Sequence, residues 1–98
     1  MQFPLIASIH AAEGQADALE RALTALIEPT RAEDGCLLYD LHRDLKDPDH
    51  FVFYEIWATR DHWLAHGETP HIAAHRRDNG HLVASSDLWE LARVGGPD

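Results

Sequence analysis

The chain has 98 residues, 45% of them apolar, which is enough for one hydrophobic core and too few for two. Eight Lys and Arg against 17 Asp and Glu leave a net charge of −9 with histidines neutral, and only Arg76-Arg77 are adjacent cations, so nucleic acid and anionic membrane are poor partners. Cys36 is the lone cysteine and excludes an internal disulfide; no run approaches the roughly 20 apolar residues that span a bilayer, and the start lacks a leader pattern, so a cytoplasmic protein is expected.

Phe3 to His10 predicts a strand with Phe3, Leu5, Ala7 and Ile9 on one face, closed by a turn at Glu13-Gly14. From Gln15 to about Ala32, apolar residues at Ala16, Leu19, Leu23, Leu26 and Ile27 follow a helical period, with a kink or a fresh final turn at Pro29. Asp34-Gly35 ends that segment. Cys36 to Arg43 and Phe51 to Ala58 then read as a hairpin across the polar loop 44–50. Thr59 suits a helix start, and Thr69-Pro70 suits the start of another that Asn79-Gly80 ends. Leu82 to Val94 supplies a last strand with Leu88, Trp89 and Leu91, and 95–98 form a frayed tail. The order is βαββααβ, an α+β domain of ferredoxin-like type over residues 1–94, with helices on one face of an antiparallel sheet. A domain this small gains useful burial from a second copy, so a homodimer is expected.

Alternation places Phe51, Phe53, Glu55 and Trp57 on one face of the third strand. If helices cover that face, Glu55 loses hydration and its pKa rises toward neutrality, as suits an acid or base; the alternative is a structural carboxylate at the sheet rim. His62 and His66, and His71 and His75, each lie four apart, as if paired on one helix face. Neither HExxH nor a second cysteine accompanies them, so no metal is expected. His71, just after Pro70, falls in a first helical turn whose dipole favours a neutral ring; catalysis and capping are both open to it. His50, His62 and His81 are expected at the surface, Trp63 and Trp89 as core or dimer contacts, and Cys36 as a small buried apolar residue.

These features together, namely Glu13-Gly14, Gly35-Cys36 with Tyr39, Asp44, the run Phe51 to Trp57 with Glu55, and His66 before Thr69-Pro70-His71, resemble the antibiotic biosynthesis monooxygenase family over nearly the whole chain. The resemblance implies a ferredoxin-like dimer whose two sheets associate into an α/β barrel, each subunit holding a small-molecule pocket between sheet and helices. The haem-degrading relatives carry an Asn on the first strand, a Trp closing the third and a late His; Trp57 and His75 match, whereas Ala7 stands at the Asn position.

No glycine-rich dinucleotide motif is visible, so the reaction expected is cofactor-independent oxygenation of a quinol or polyphenol by molecular oxygen, with the substrate supplying the electrons. Glu55 or His71 is the expected base, and His66 or His75 the donor to charge developing on oxygen. Trp57 with Phe53 forms the expected stacking wall, and Tyr39 and Ala7 complete the substrate pocket. An isomerase or tautomerase using the same groups, and a noncatalytic ligand-binding dimer, are the alternatives.

Overall fold

A computed structural model describes residues 1–96; Pro97 and Asp98 of the expected tail lie outside the described residues. Four strands, β1 (Phe3–Ala11), β2 (Cys36–Arg43), β3 (His50–Trp57) and β4 (Val83–Glu90), form one antiparallel sheet in the order β2-β3-β1-β4. Helices α1 (Ala16–Thr24), α2 (Ile27–Arg31), α3 (Arg60–His66) and α4 (Pro70–Asn79) complete the ferredoxin-like α+β fold read from the pattern.

The two-residue period sorts the sheet. Leu5, Ala7 and Ala11 of β1, Tyr39 of β2, and Phe51, Phe53, Glu55 and Trp57 of β3 are buried on the helix side. Leu19, Leu23, Leu26 and Ile72 from the helical layer close the core over them. Register pairs Leu5 with Glu55 and Tyr39 with Glu55, so this carboxylate occupies the middle of the sheet.

The helix expected from Gln15 to Ala32 is broken. α1 ends at Thr24 and α2 restarts at Ile27, because Pro29 has no N–H to give the Ala25 carbonyl four residues earlier. Pro29 thus falls in a first turn, where that donor is not needed. The last strand is also shorter than expected: Leu82 is buried in a 3₁₀ turn (Gly80–Leu82), and pairing stops soon after Glu90 faces Leu5. Leu91 still donates to the Pro4 carbonyl at 3.0 Å, but Pro4 has no N–H to return, and the ladder ends.

Two connections are set by side chains. Thr59 caps α3, accepting from the His62 amide at 3.2 Å. In the hairpin loop, Asp44 accepts from the amides of Lys46 and Asp47, and its other oxygen meets His50 Nδ1 at 3.0 Å. His50 Nε2 in turn lies 2.8 Å from the buried Ser8 hydroxyl, with the ring stacked on His10. His50 is therefore a part-buried clamp between loop and sheet, not the surface residue expected, because the hairpin end folds its ring onto β1.

Gly35, at φ +79°, immediately precedes β2, with the His62 ring packed where a Cβ would stand. Gly35→Ala combines a disfavoured backbone with that collision and is expected to lower stability by about 1–3 kcal/mol, read from urea unfolding. An unchanged midpoint would show that the turn does not constrain the fold.

Candidate functional site

A cavity of about 410 Å³ opens between the sheet and the helices, within the range of small-molecule sites. Its sheet side is formed by Ala7, Ile9, Tyr39, Phe53, Glu55 and Leu88. Leu23, Leu26, Trp63, Leu64 and Ile72 supply apolar walls from the helical side, and His66, His75, Glu68 and Arg76 bring polarity. A broader depression of about 1050 Å³ lies where the chain ends flank the uncovered sheet face, beside Phe3, Tyr54, Ile56 and Leu91. Its lining residues include no carboxylate or imidazole, whereas those of the smaller cavity include both.

Glu55 is 4% exposed and receives one side-chain hydrogen bond, from Trp57 Nε1 to Oε1 at 2.9 Å. Residues two apart on a strand share a face, which is why this pair meets. Burial pushes the Glu55 carboxyl up from its ordinary 4.5 to about 7; the indole N–H opposes the rise and the charge of Glu33 adds to it. Tyr39 stacks on Phe53 with centroids 4.4 Å apart, and burial, reinforced by the Glu55 charge, pushes its phenol above the ordinary tyrosine range. Tyr39 therefore keeps its proton.

His66 is 8% exposed, with its ring 5.0 Å from Trp57 and 5.7 Å edge-on to Tyr39. Its Nδ1 lies 2.7 Å from Glu33 Oε2. Burial depresses the imidazole's proton affinity more than the Glu33 carboxylate raises it, so the ring is neutral near pH 7. Burial and neighbouring Arg76 depress His75 likewise.

Six of the eight residues expected at a site line this cavity: Glu55, His66, His75, Phe53, Tyr39 and Ala7. The other two stand behind it. Trp57 is wholly buried and supports Glu55, leaving Phe53, Tyr39 and Trp63 as the aromatic walls. His71 is the second residue of α4, as the Pro70 start predicts, but its Nε2 lies 2.8 Å from Glu33 Oε2, with the Thr30 hydroxyl at 3.2 Å.

Helical spacing did not reveal the partners of these histidines. His66 and His71, on different helices, share Glu33, while His62 meets Thr59 and Asp34. Glu33 and Thr30 carried no sequence signal, since a Glu-Asp-Gly turn after a helix reads as solvated. Glu33, His66 and His71 place one ligand atom each within 4.8 Å of the others, a grouping that spacing did not reveal. A cation there would have to displace the imidazole protons that now bridge to the carboxylate.

The model of the antibiotic biosynthesis monooxygenase family matches residues 3–78, from the first strand into the last turn of α4. This chain belongs to that family. Among solved relatives, PA3566 from Pseudomonas aeruginosa superposes with a TM-score of 0.91 at 41% identity, covering 96% of this chain and 95% of its own. Rv0793 from Mycobacterium tuberculosis gives 0.90 at 29% identity over 100% of both chains. Under the name "Putative monooxygenase Rv0793" its sequence is 39% identical over 66 residues, 67% of this chain and 64% of its own length. A Synechocystis protein, sll1783, is 38% identical over 45 residues, 46% of this chain and 31% of its own length. The chain thus spans less than two thirds of the length of the curated relatives it matches. This family member owes its cavity largely to the matched region, with Leu88 of β4 added from beyond it.

The raised carboxyl links stability to pH. Stability from keeping Glu55 protonated is complete below its ordinary 4.5 and is lost as pH rises through about 7. Glu55→Gln, which cannot ionise, is expected to exceed the parent in stability by about 3 kcal/mol at about pH 8.5 and to match it closely near pH 4.5. Thermal melts at both pH values check this; a gap that does not widen with pH would mean Glu55 is an ordinary carboxylate.

Proposed function

We propose that this protein oxygenates a hydroxylated aromatic, a quinol or polyphenol, with molecular oxygen and no bound cofactor. The observation that carries the reading is Glu55, a carboxyl poised at about 7 in an apolar, aromatic-walled cavity. A neutral phenol is a poor reductant and its phenolate a far better one, so a base in a dry cavity is what the chemistry needs.

A phenol of pKa about 10 facing a base of about 7 gives up its proton at a cost of ~4 kcal/mol, against more than 7 for an ordinary carboxylate. The transfer also moves one negative charge from Glu55 to the substrate without adding a second to the cavity. The phenolate then passes an electron to oxygen, and the radical pair closes a carbon–oxygen bond, leaving a peroxide anion on the ring. Glu55 returns its proton to that anion and regains its charge. Loss of water from the hydroperoxide leaves a carbonyl, so one oxygen atom enters the ring and the other departs as water with the two hydrogens lost. Tyr39, which keeps its proton, is a donor suited to the developing charge, and Phe53 and Trp63 are walls for the ring.

Oxygen uptake above autoxidation is expected with some member of a panel of hydroquinones and naphthols. In Glu55→Gln it should fall roughly 10²- to 10⁴-fold. In the parent, kcat/KM should rise with pH through about 7, where the carboxylate forms, and that rise should be absent from the variant. Binding without uptake across the panel would overturn the oxygenase reading.

We further propose that the protein works as a homodimer in the cytoplasm. Supporting the dimer, the sheet face away from the helices carries Tyr54 at 37%, Trp89 at 50% and Leu91 at 39% exposure, beside half-buried Ile6 and Ile56. Apolar surface of this kind gains by association. Light scattering should give twice the 11.0 kDa chain mass, and Trp89→Glu should return it to the single value; a monomeric parent would refute the dimer.

A further inference from the structure

Formation of a quinone from a hydroxyaromatic requires a second proton to be taken, the one on the carbon that oxygen attacks. Glu55 accounts for the phenolic proton only. His66 lines the same cavity, and its hydrogen bonds specify which of its nitrogens is open to a ligand.

Glu33 as a carboxylate has lone pairs and no hydrogen to give, so a nitrogen 2.7 Å from its Oε2 must donate. The proton on His66 therefore resides on Nδ1. The neutral ring then has a bare lone pair at Nε2. That nitrogen makes no hydrogen bond among the described residues, yet no buried side-chain nitrogen or oxygen described is left without a partner. Nε2 is consequently reached by solvent, and the ring borders the cavity.

The carboxylate is itself held. His71 Nε2 donates to the same Oε2 at 2.8 Å from the start of α4, with the hydroxyls of Thr30 and Thr69 at 3.2 and 3.4 Å from that nitrogen. Trp57 and Tyr39 flank the His66 ring and limit its rotation.

We infer that Glu33 is a positioning residue that holds His66 as the Nδ1–H tautomer, making His66 Nε2 the second proton acceptor of the cavity. This rests on the oxygenase reading for its place in the reaction. From the ring hydroperoxide, His66 Nε2 takes the proton on the attacked carbon. That carbon–hydrogen electron pair becomes the second bond of the new carbonyl, the oxygen–oxygen bond breaks, and the departing hydroxide takes the proton from His66 and leaves as water. The imidazole ends neutral, so no further oxidant or reductant enters. His66 thus acts as an acceptor at Nε2, in place of the standing donor expected from the chain, because its neutral-state hydrogen is committed to Glu33.

Nitrogen-15 NMR of the ligand-free protein at about pH 7.5, where an imidazole is mostly neutral, reads the tautomer directly. Dominant Nδ1–H in the parent is expected, with loss of that dominance in Glu33→Gln, whose amide can donate to Nδ1. With 1-naphthol as probe, Glu33→Gln should lose at least about 10-fold in kcat with KM within about 3-fold, as when a triad carboxylate becomes an amide. The isotope effect from deuterium para to the naphthol hydroxyl should grow, and Glu33→Asp should recover part of the rate. Dominant Nε2–H in the parent, or an unchanged kcat and isotope effect in a folded Glu33→Gln, would overturn the inference. So would stoichiometric micromolar zinc binding that perturbs His66 and His71 in the chelator-treated protein, because the cluster would then be a metal site. If the parent oxidises neither naphthols nor quinols, the oxygenase reading fails, and the NMR result alone decides the tautomer.

Discussion

The site depends on one costly placement, a carboxylate on the inward face of the central part of a sheet. Glu55 stands between Phe53 and Trp57 along β3 and between Leu5 and Tyr39 across it. Charging it there forfeits hydration, and a single indole N–H repays only part of the loss. Two or three donors would have produced an ordinary carboxylate; one leaves the balance near neutral pH. The burial that weakens the fold when Glu55 ionises is the same burial that brings its carboxyl to about 7.

Charge elsewhere in the interior is handled by sharing. Glu33 follows α2, His66 ends α3 and His71 begins α4, so one carboxylate oxygen joins three segments at 2.7 and 2.8 Å. Helices of five and seven residues, such as α2 and α3, are too short to persist on their own propensity and need such tertiary contacts. The Thr59 cap and the packing of His62 against Gly35 complete the support of α3. The cluster that brings His66 to the cavity is therefore also part of what holds the helical layer together.

The two faces of the sheet have divided roles. Odd-numbered positions of β1 and β3 face the helices and build core and cavity, while Ile6, Tyr54, Ile56 and Trp89 face away. Aromatic and aliphatic residues at partial exposure on an open sheet face would be a liability in an isolated chain. The same residues become an asset if a second sheet covers them.

Periodicity made the strands legible, and with them the company that Glu55 keeps, because side-chain parity is a local property of an extended chain. Thr59, Pro70 and the Asp34-Gly35 turn announced element ends for equally local reasons. Pro29 announced a break, though its placement upstream followed from the bond that proline cannot make. Six of the expected site residues do meet at the cavity, since family pattern and parity act together there. Glu33, the withdrawal of His71 and Trp57 from the cavity, and the clamp formed by His50 were not legible. Each depends on a distance between segments remote in sequence: Glu33 reaches residues 33 and 38 positions away, and His50 a serine 42 positions away. One chain's spacing carries no record of such pairings. Local order determined the strands, the caps and the inward carboxylate; only packing in three dimensions selected which histidines face the cavity and which carboxylate His66 and His71 share, because hydrogen bonds between helices form after the helices have docked.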